Sequence, residues 1–168
     1  MGAFVLASAV PYFPKGTVYV AVVDPGVGTK RRPIVVETRQ SLLVGPDNGL
    51  LMLAAEKEGV KHVYEIGNTA FTLPKISKTF HGRDVFAPVA AYLAAGQLPS
   101  EVGFEINDYF IPKYVKPVLE NDTLTGEVLH TDDFGNIITN VSEKDLNRIN
   151  AKQDVFLSVK LEKKALRL

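Results

Sequence analysis

The chain opens on an apolar run, MGAFVLASAV, in which serine is the most polar residue of the first ten. Pro11 and Pro14 close it. Because proline disfavours helical geometry in the residue before it, the pattern predicts a helix over Gly2–Val10. TVYVAVV (Thr17–Val23) carries apolar or β-branched side chains on both alternating faces, which predicts a strand covered on both sides of its sheet. PIVVET (Pro33–Thr38) and Ser41–Val44 read as further short strands. A helix is expected at about Asn48–Glu58, with Asp47 or Asn48 as N-cap and Gly59 as its stop. His62–Ile66 is another strand. RDVFAPVAAYLAA (Arg83–Ala95) reads as an alanine-rich helix with Pro88 in its first turn and Gly96 as its end.

From Gln97 to Pro117 the pattern shifts to a proline-bearing, aromatic segment, expected to be the crossing into a second domain. Beyond it, LTGEVLHTDDFGNIITNVS and DVFLSVKLE are β-rich. They flank SEKDLNRI, a short helix whose capping box runs from Ser142 to Asp145. The expected fold class is α/β: an N-terminal α/β sandwich domain over residues 1–112, then a small mainly-β, barrel-like domain over residues 118–168.

Composition narrows the chemistry. Over 168 residues the apolar fraction of 46% suits a globular protein, and 19 basic residues balance 19 acidic ones. No net field therefore recruits nucleic acid or an anionic membrane. With no cysteine there is neither a thiol nucleophile nor a zinc-thiolate site, which is compatible with the cytoplasm. Every apolar run ends well short of the roughly 18 residues needed to span a bilayer. No cationic segment precedes the first run, which argues against a signal peptide. His62, His81 and His130 show no HxH or HxxxH spacing, so a metal site has little support.

Three motifs have both a structural and a chemical reading. DPGVGTKRR (Asp24–Arg32) fails as a phosphate loop, because its spacing is wrong and a strand follows it instead of a helix. It is either a salt-bridged turn or a device that presents Asp24 at a strand end, where open α/β sheets place ligands. In FHGRD, His81 sits in a glycine-containing turn before a helix. Its plain reading is a helix-entry residue, with Asp84 capping and Arg83 solvated. DDFGN suits a hairpin turn. It also clusters a carboxylate, an aromatic face and a carboxamide, groups that an amine- and nucleobase-bearing ligand would use.

Taken together, AVVDPGVGTKRRPIVV, LVGPDNGLL, FHGRDVFAPVAAYLAAG and DDFGNIITN resemble the S-adenosyl-L-methionine (SAM) hydrolases that form adenosine, also called SAM hydroxide adenosyltransferases. That family is related to the SAM-dependent fluorinase and chlorinase. The resemblance runs from about Gly2 to Val141 and weakens after Ser142. It implies an Asp24, Arg31 and His81 triad that holds a water or hydroxide for attack at ribose C5′. Asn136 would contact the adenine side of SAM, Asp132 its methionine amine, and Phe80 or Phe134 would pack near the nucleoside. It further implies a homotrimer with sites between subunits, and no metal or redox cofactor, SAM being the substrate. The halide-using relatives lack the acid and the imidazole, so the water-using branch is expected. Halide transfer to C5′ and a non-catalytic SAM- or adenosine-binding oligomeric fragment are the alternatives. Family members begin with a strand and a TDFG-like loop and end with an Asn-Ser-containing segment. The chain is thus expected to be truncated at both ends relative to them.

Overall fold

In the computed structural model, which describes residues 1–121, 123–149, 151, 158–161 and 164–167, the chain divides into two compact units, Met1–Val115 and Lys116–Leu168. In the first unit, helix α1 (Gly2–Ala9) runs into a short 3-10 turn at Val10–Tyr12: Val10 keeps helical geometry before Pro11, and Phe13, extended before Pro14, ends the helical run. Strands β1 (Val18–Val20), β2 (Pro33–Thr38), β3 (Leu42–Pro46), β4 (Val60–Ile66) and β5 (Gly103–Glu105) form one sheet in the order β1-β3-β2-β4-β5. β1 runs parallel to β3 and every other pairing is antiparallel.

The strand buried on both faces is PIVVET, not TVYVAVV. Val35 pairs with Val44 of β3 and packs with Phe86, Val89 and Leu93 on one face. The alternate positions Ile34, Val36 and Leu43 are equally buried on the other, where Leu51 and helix α2 (Met52–Glu58) lie. Burying a Val or Ile side chain fully contributes about 1.5–3 kcal/mol, so this strand anchors the unit. β1 is shorter than expected and lies at the sheet edge, leaving Val20, Val22 and Val23 substantially exposed. An apolar run on both faces indicates strand tendency; its coverage depends on neighbours that only the assembled sheet supplies.

Two helix boundaries also differ. α2 begins at Met52, and Asn48 is no cap: its Oδ1 accepts from the Leu50 N–H in the turn before the helix. Gly59 does end it, at φ 82°. The second helix starts as a π-helical turn at Gly82–Phe86 and continues as α3 (Ala87–Ala94), with Pro88 in the first α turn. The segment expected as a crossing is partly structural, since α4 (Pro99–Val102) and β5 belong to the first unit, and Val102 in α4 and Ile106 just after β5 are buried.

In the second unit, β6 (Val118–Glu120) pairs with β7 (Thr123–Thr125), and β8 (Val128–Thr131) with β9 (Ile137–Thr139). α5 (Glu143–Arg148) carries the Ser142–Asp145 capping box. The strand expected in DVFLSVKLE lies partly outside the described residues; β10 (Ser158–Leu161) pairs with β11 (Lys164–Arg167). These hairpins make the unit β-rich and the whole chain mixed α/β. No described helix is long and apolar enough to cross a membrane.

Candidate active site

β3 lies between β1 and β2, so the connection containing DPGVGTKRR must cross the end of β3. The PDNG turn after β3 holds that connection at both ends. Asn48 Nδ2 donates to the Val23 carbonyl at 2.9 Å, directly before Asp24. The Asp47 N–H donates to the Arg32 carbonyl at 2.9 Å, directly after Arg31. Asp47 Oδ2 also accepts from Arg32 Nε and Nη2, at 3.1 and 2.8 Å, while Oδ1 accepts from the Phe110 N–H at 2.8 Å. Arg32 Nη1 reaches Asp108 at 2.7 Å, and that guanidinium holds the Asp108 carboxyl below its ordinary pKa. Arg32 is thus a structural tie, not the plain surface cation that its place in a KRR run suggests.

Between these anchors Asp24 and Arg31 face each other. Arg31 donates Nε to Asp24 Oδ1 at 3.0 Å and Nη2 to Oδ2, a bidentate, charge-assisted pair. The two side chains are only 5% and 6% exposed, far from the solvated surface pair that charge spacing alone suggests. Arg31 Cζ also sits 5.3 Å from the ring centroid of the fully buried Phe86. The second Nη2 hydrogen faces His81 Nδ1 at 3.1 Å. A guanidinium has no acceptor, so His81 Nδ1 accepts and a neutral ring carries its proton on Nε2. Three of the five guanidinium N–H groups are thereby used. Nη1, with the remaining two, is buried and has no hydrogen-bond partner among the described residues. An orphaned buried donor costs about 1–3 kcal/mol, more when charged, and these two donors are open to an acceptor oxygen.

His81 comes from fifty residues further along the chain. Its approach depends on Gly28, whose φ is +76° and where an added Cβ would lie 2.5 Å from the Lys78 carbonyl oxygen. Only glycine admits both that conformation and that contact. Phe80 is half exposed, with the Arg83 guanidinium 5.1 Å from its ring centroid. Asp84 is no exposed cap: it is fully buried and accepts from the Ser77 N–H at 2.7 Å and from Arg83. Arg83, then the Ser77 N–H, hold its carboxyl below the ordinary pKa.

In the second unit, Asp132, Phe134 and Asn136 share the β8–β9 turn. Asp132 Oδ1 accepts from the Phe134 and Asn136 N–H groups at 3.0 and 2.8 Å, and Asn136 Nδ2 donates to Oδ2 at 2.7 Å. The Asn136 amide lowers the Asp132 pKa more than any other contact. Phe134 is 92% exposed at the tip. Among the described residues no group of three or more His, Asp or Glu side chains could hold a metal ion.

Comparison with known families gives this arrangement its context. The sequence profile of the SAM hydroxide adenosyltransferase N-terminal domain matches residues 1–103, and that of the C-terminal domain matches residues 126–167. The chain belongs to the SAM hydroxide adenosyltransferase family. The second profile extends well past Ser142, where the motif blocks fade. The (R)-S-adenosyl-L-methionine hydrolase of Salinispora tropica is 48% identical over 139 residues, 81% of this chain and 53% of that protein. A fluorinase from an Actinoplanes species is 29% identical over 164 residues, 82% of this chain and 55% of that protein. The crystal structure of an uncharacterized conserved protein from Thermotoga maritima matches with a TM-score of 0.80 and 40% identity, covering 99% of this chain and 64% of that one. The chain spans about half the length of the curated relatives it matches.

The residues that place the family's motifs were harder to read than the motifs themselves. Asp47, Asn48 and Asp84 read locally as helix caps or turn formers. The one signal that bore on them was the density of glycine and carboxylate in PDNG and HGRD.

Proposed function

We propose that the protein hydrolyses SAM to adenosine and L-methionine. The observation that carries this reading is Arg31, buried between Asp24 and His81 with Nη1 unpartnered. Water's pKa of about 15.7 makes hydroxide scarce at neutral pH, so the site's task is to hold and deprotonate a water. The Arg31 Nη1–H donors hold its oxygen. Because His81 Nδ1 already accepts from Arg31, a neutral ring has no free lone pair, whereas each Asp24 oxygen keeps a second acceptor position. Asp24 therefore takes the proton. As the O–C5′ bond forms, the C5′–S bond breaks and its electron pair stays on sulfur. The sulfonium becomes the neutral thioether of methionine and needs no general acid, and no step requires a metal or redox cofactor.

On the same reading, Asp132 receives the methionine amine, Asn136 the adenine side, and Phe80 and Phe134 the nucleoside. A homotrimer with its pockets between subunits assembles these groups in the cytoplasm, with the second unit's hairpins forming a barrel-like domain. The 48% identity to a SAM hydrolase against 29% to a fluorinase supports water over halide as the nucleophile. Incubation with SAM and chromatographic separation of products tests the reading: adenosine and methionine are expected. A halogenated nucleoside in chloride or fluoride, with no adenosine, would move the assignment to halide transfer. Calorimetric SAM binding without turnover would leave a binding protein.

A further inference from the structure

Asp84 is a buried carboxylate that the proposed chemistry does not use. It projects from the π-helical turn at Gly82–Phe86, a departure from α geometry of a kind that often marks functional sites. Its Oδ2 accepts from the Ser77 N–H at 2.7 Å, and its main-chain carbonyl accepts from the Leu73 N–H at 2.9 Å. The segment Leu73–Thr79 is thus fastened to one residue at two points. On its other side the same segment meets the first motif, where the Lys78 carbonyl abuts Gly28. The Phe80 carbonyl accepts from the N–H groups of Arg83 and Asp84, which closes the chain around His81.

A carboxylate with no exposed surface is costly to bury, and its cationic partner Arg83 is itself 64% exposed. An ion pair of this kind, half in solvent, contributes little to stability by itself. The remaining contact of the carboxylate is the one to the Ser77 backbone, which restrains a loop without secondary structure of its own. We infer that Asp84 is a positioning residue for His81: by holding Ser77 it seats the Ser77–Phe80 segment against Gly28 and so keeps His81 Nδ1 facing Arg31. This rests on the reading of Asp24, Arg31 and His81 as the reacting site, but its geometric content can be tested separately.

The test compares Asp84→Ala, which removes both acceptors, with Asp84→Asn, which keeps a carbonyl oxygen for the Ser77 N–H, and with Arg83→Ala, which removes the exposed partner together with its contact on the Phe80 ring. Two readouts are taken on the full chain: histidine-ring proton–nitrogen spectra, with His81 assigned through His81→Gln, and steady-state kinetics with SAM. Asp84→Ala is expected to shift the His81 ring signals while those of His62 and His130 stay in place. It should lower kcat about tenfold to a hundredfold, the scale of a misplacement near 1 Å, with KM changed less than about threefold. Asp84→Asn should keep the His81 signals close to wild type and recover most of kcat, and Arg83→Ala should likewise keep the His81 signals. Unchanged His81 signals in folded Asp84→Ala would overturn the inference. If that variant does not fold, Ser77→Pro removes the donor instead and is judged by the same criterion. Should the wild type fail to turn over SAM, the functional reading fails while the ring spectra still decide the role of Asp84.

Discussion

Arg31 Nη2 lies 3.1 Å from His81 Nδ1, and the two residues are fifty positions apart in the chain. Since arginine can only donate, this contact assigns the neutral His81 ring to the Nε2–H tautomer. Nitrogen NMR of the ring should show an unprotonated Nδ1 in the wild type. Arg31→Met should release that preference while leaving the spectra of His62 and His130 unchanged.

The Asp24–Arg31 pair is deeply buried, so removing one partner strands the other's charge. Asp24→Ala is expected to destabilise the first unit by about 3–5 kcal/mol, measured by urea unfolding. Asp24→Asn keeps the shape and part of the hydrogen bonding, and should cost less stability but about 100-fold or more in turnover of SAM. Adenosine affinity by calorimetry should change less than about threefold in Asp24→Asn. Retained turnover would remove Asp24 from the role of proton acceptor.

Asn48 fixes the chain at Val23, immediately before Asp24. Asn48→Ala removes two hydrogen bonds, to the Val23 carbonyl and from the Leu50 N–H, each worth about 1 kcal/mol. It also frees the entry to the DPGVG turn, so kcat should fall about tenfold, more than so small a loss of stability accounts for. Thermal melts run beside the kinetics check both halves of that expectation.

Gly28→Ala imposes a side chain on a left-handed residue, at about 1–2 kcal/mol, and drives its Cβ into the Lys78 carbonyl. Both stability and turnover should drop. Gly96→Ala is the control: its φ of +102° carries the same type of strain, yet nothing lies within 4 Å of the added Cβ. It should lower the melting temperature and leave turnover unchanged.

His62 Nδ1 meets Glu105 at 2.8 Å across the β4–β5 pair, and this hydrogen bond raises the histidine pKa above 6.5. A raised pKa means that the pair's contribution is fully present below pH 6.5 and disappears as pH rises through the folded-state value. NMR titration should find His62 titrating above the unfolded reference, and Glu105→Gln should bring it down toward that reference. A stability difference between wild type and Glu105→Gln should appear at pH 5.5–6 and vanish at pH 9.

Local signals proved readable where they depend on a few neighbouring residues. Pro14 ended the first helical run, Gly59 ended α2, Ser142 capped α5, and DDFGN made the β8–β9 turn, each through contacts within a few positions. PIVVET was a strand over the residues expected. Where a residue's role depends on distant chain, the pattern misled. TVYVAVV has the composition of a central strand and lies at an edge. Arg32 sits in a run of cations and is a tie between three segments. Asp84 follows an arginine as if to begin a helix, yet points into the protein.

By itself, then, the sequence determined the α/β character of the chain, its family and the motifs that carry Asp24, Arg31 and His81. Those properties are set by local composition, periodicity and motif order. Only the tertiary structure decided that β3 separates β1 from β2. That separation carries the DPGVG connection across the sheet end, lets Asp47 and Asn48 hold it, and brings His81 to Arg31 through the Gly28–Lys78 contact. Burial and hydrogen-bond partnership are relations between segments far apart in the chain. No window of residues contains them until the sheet has assembled.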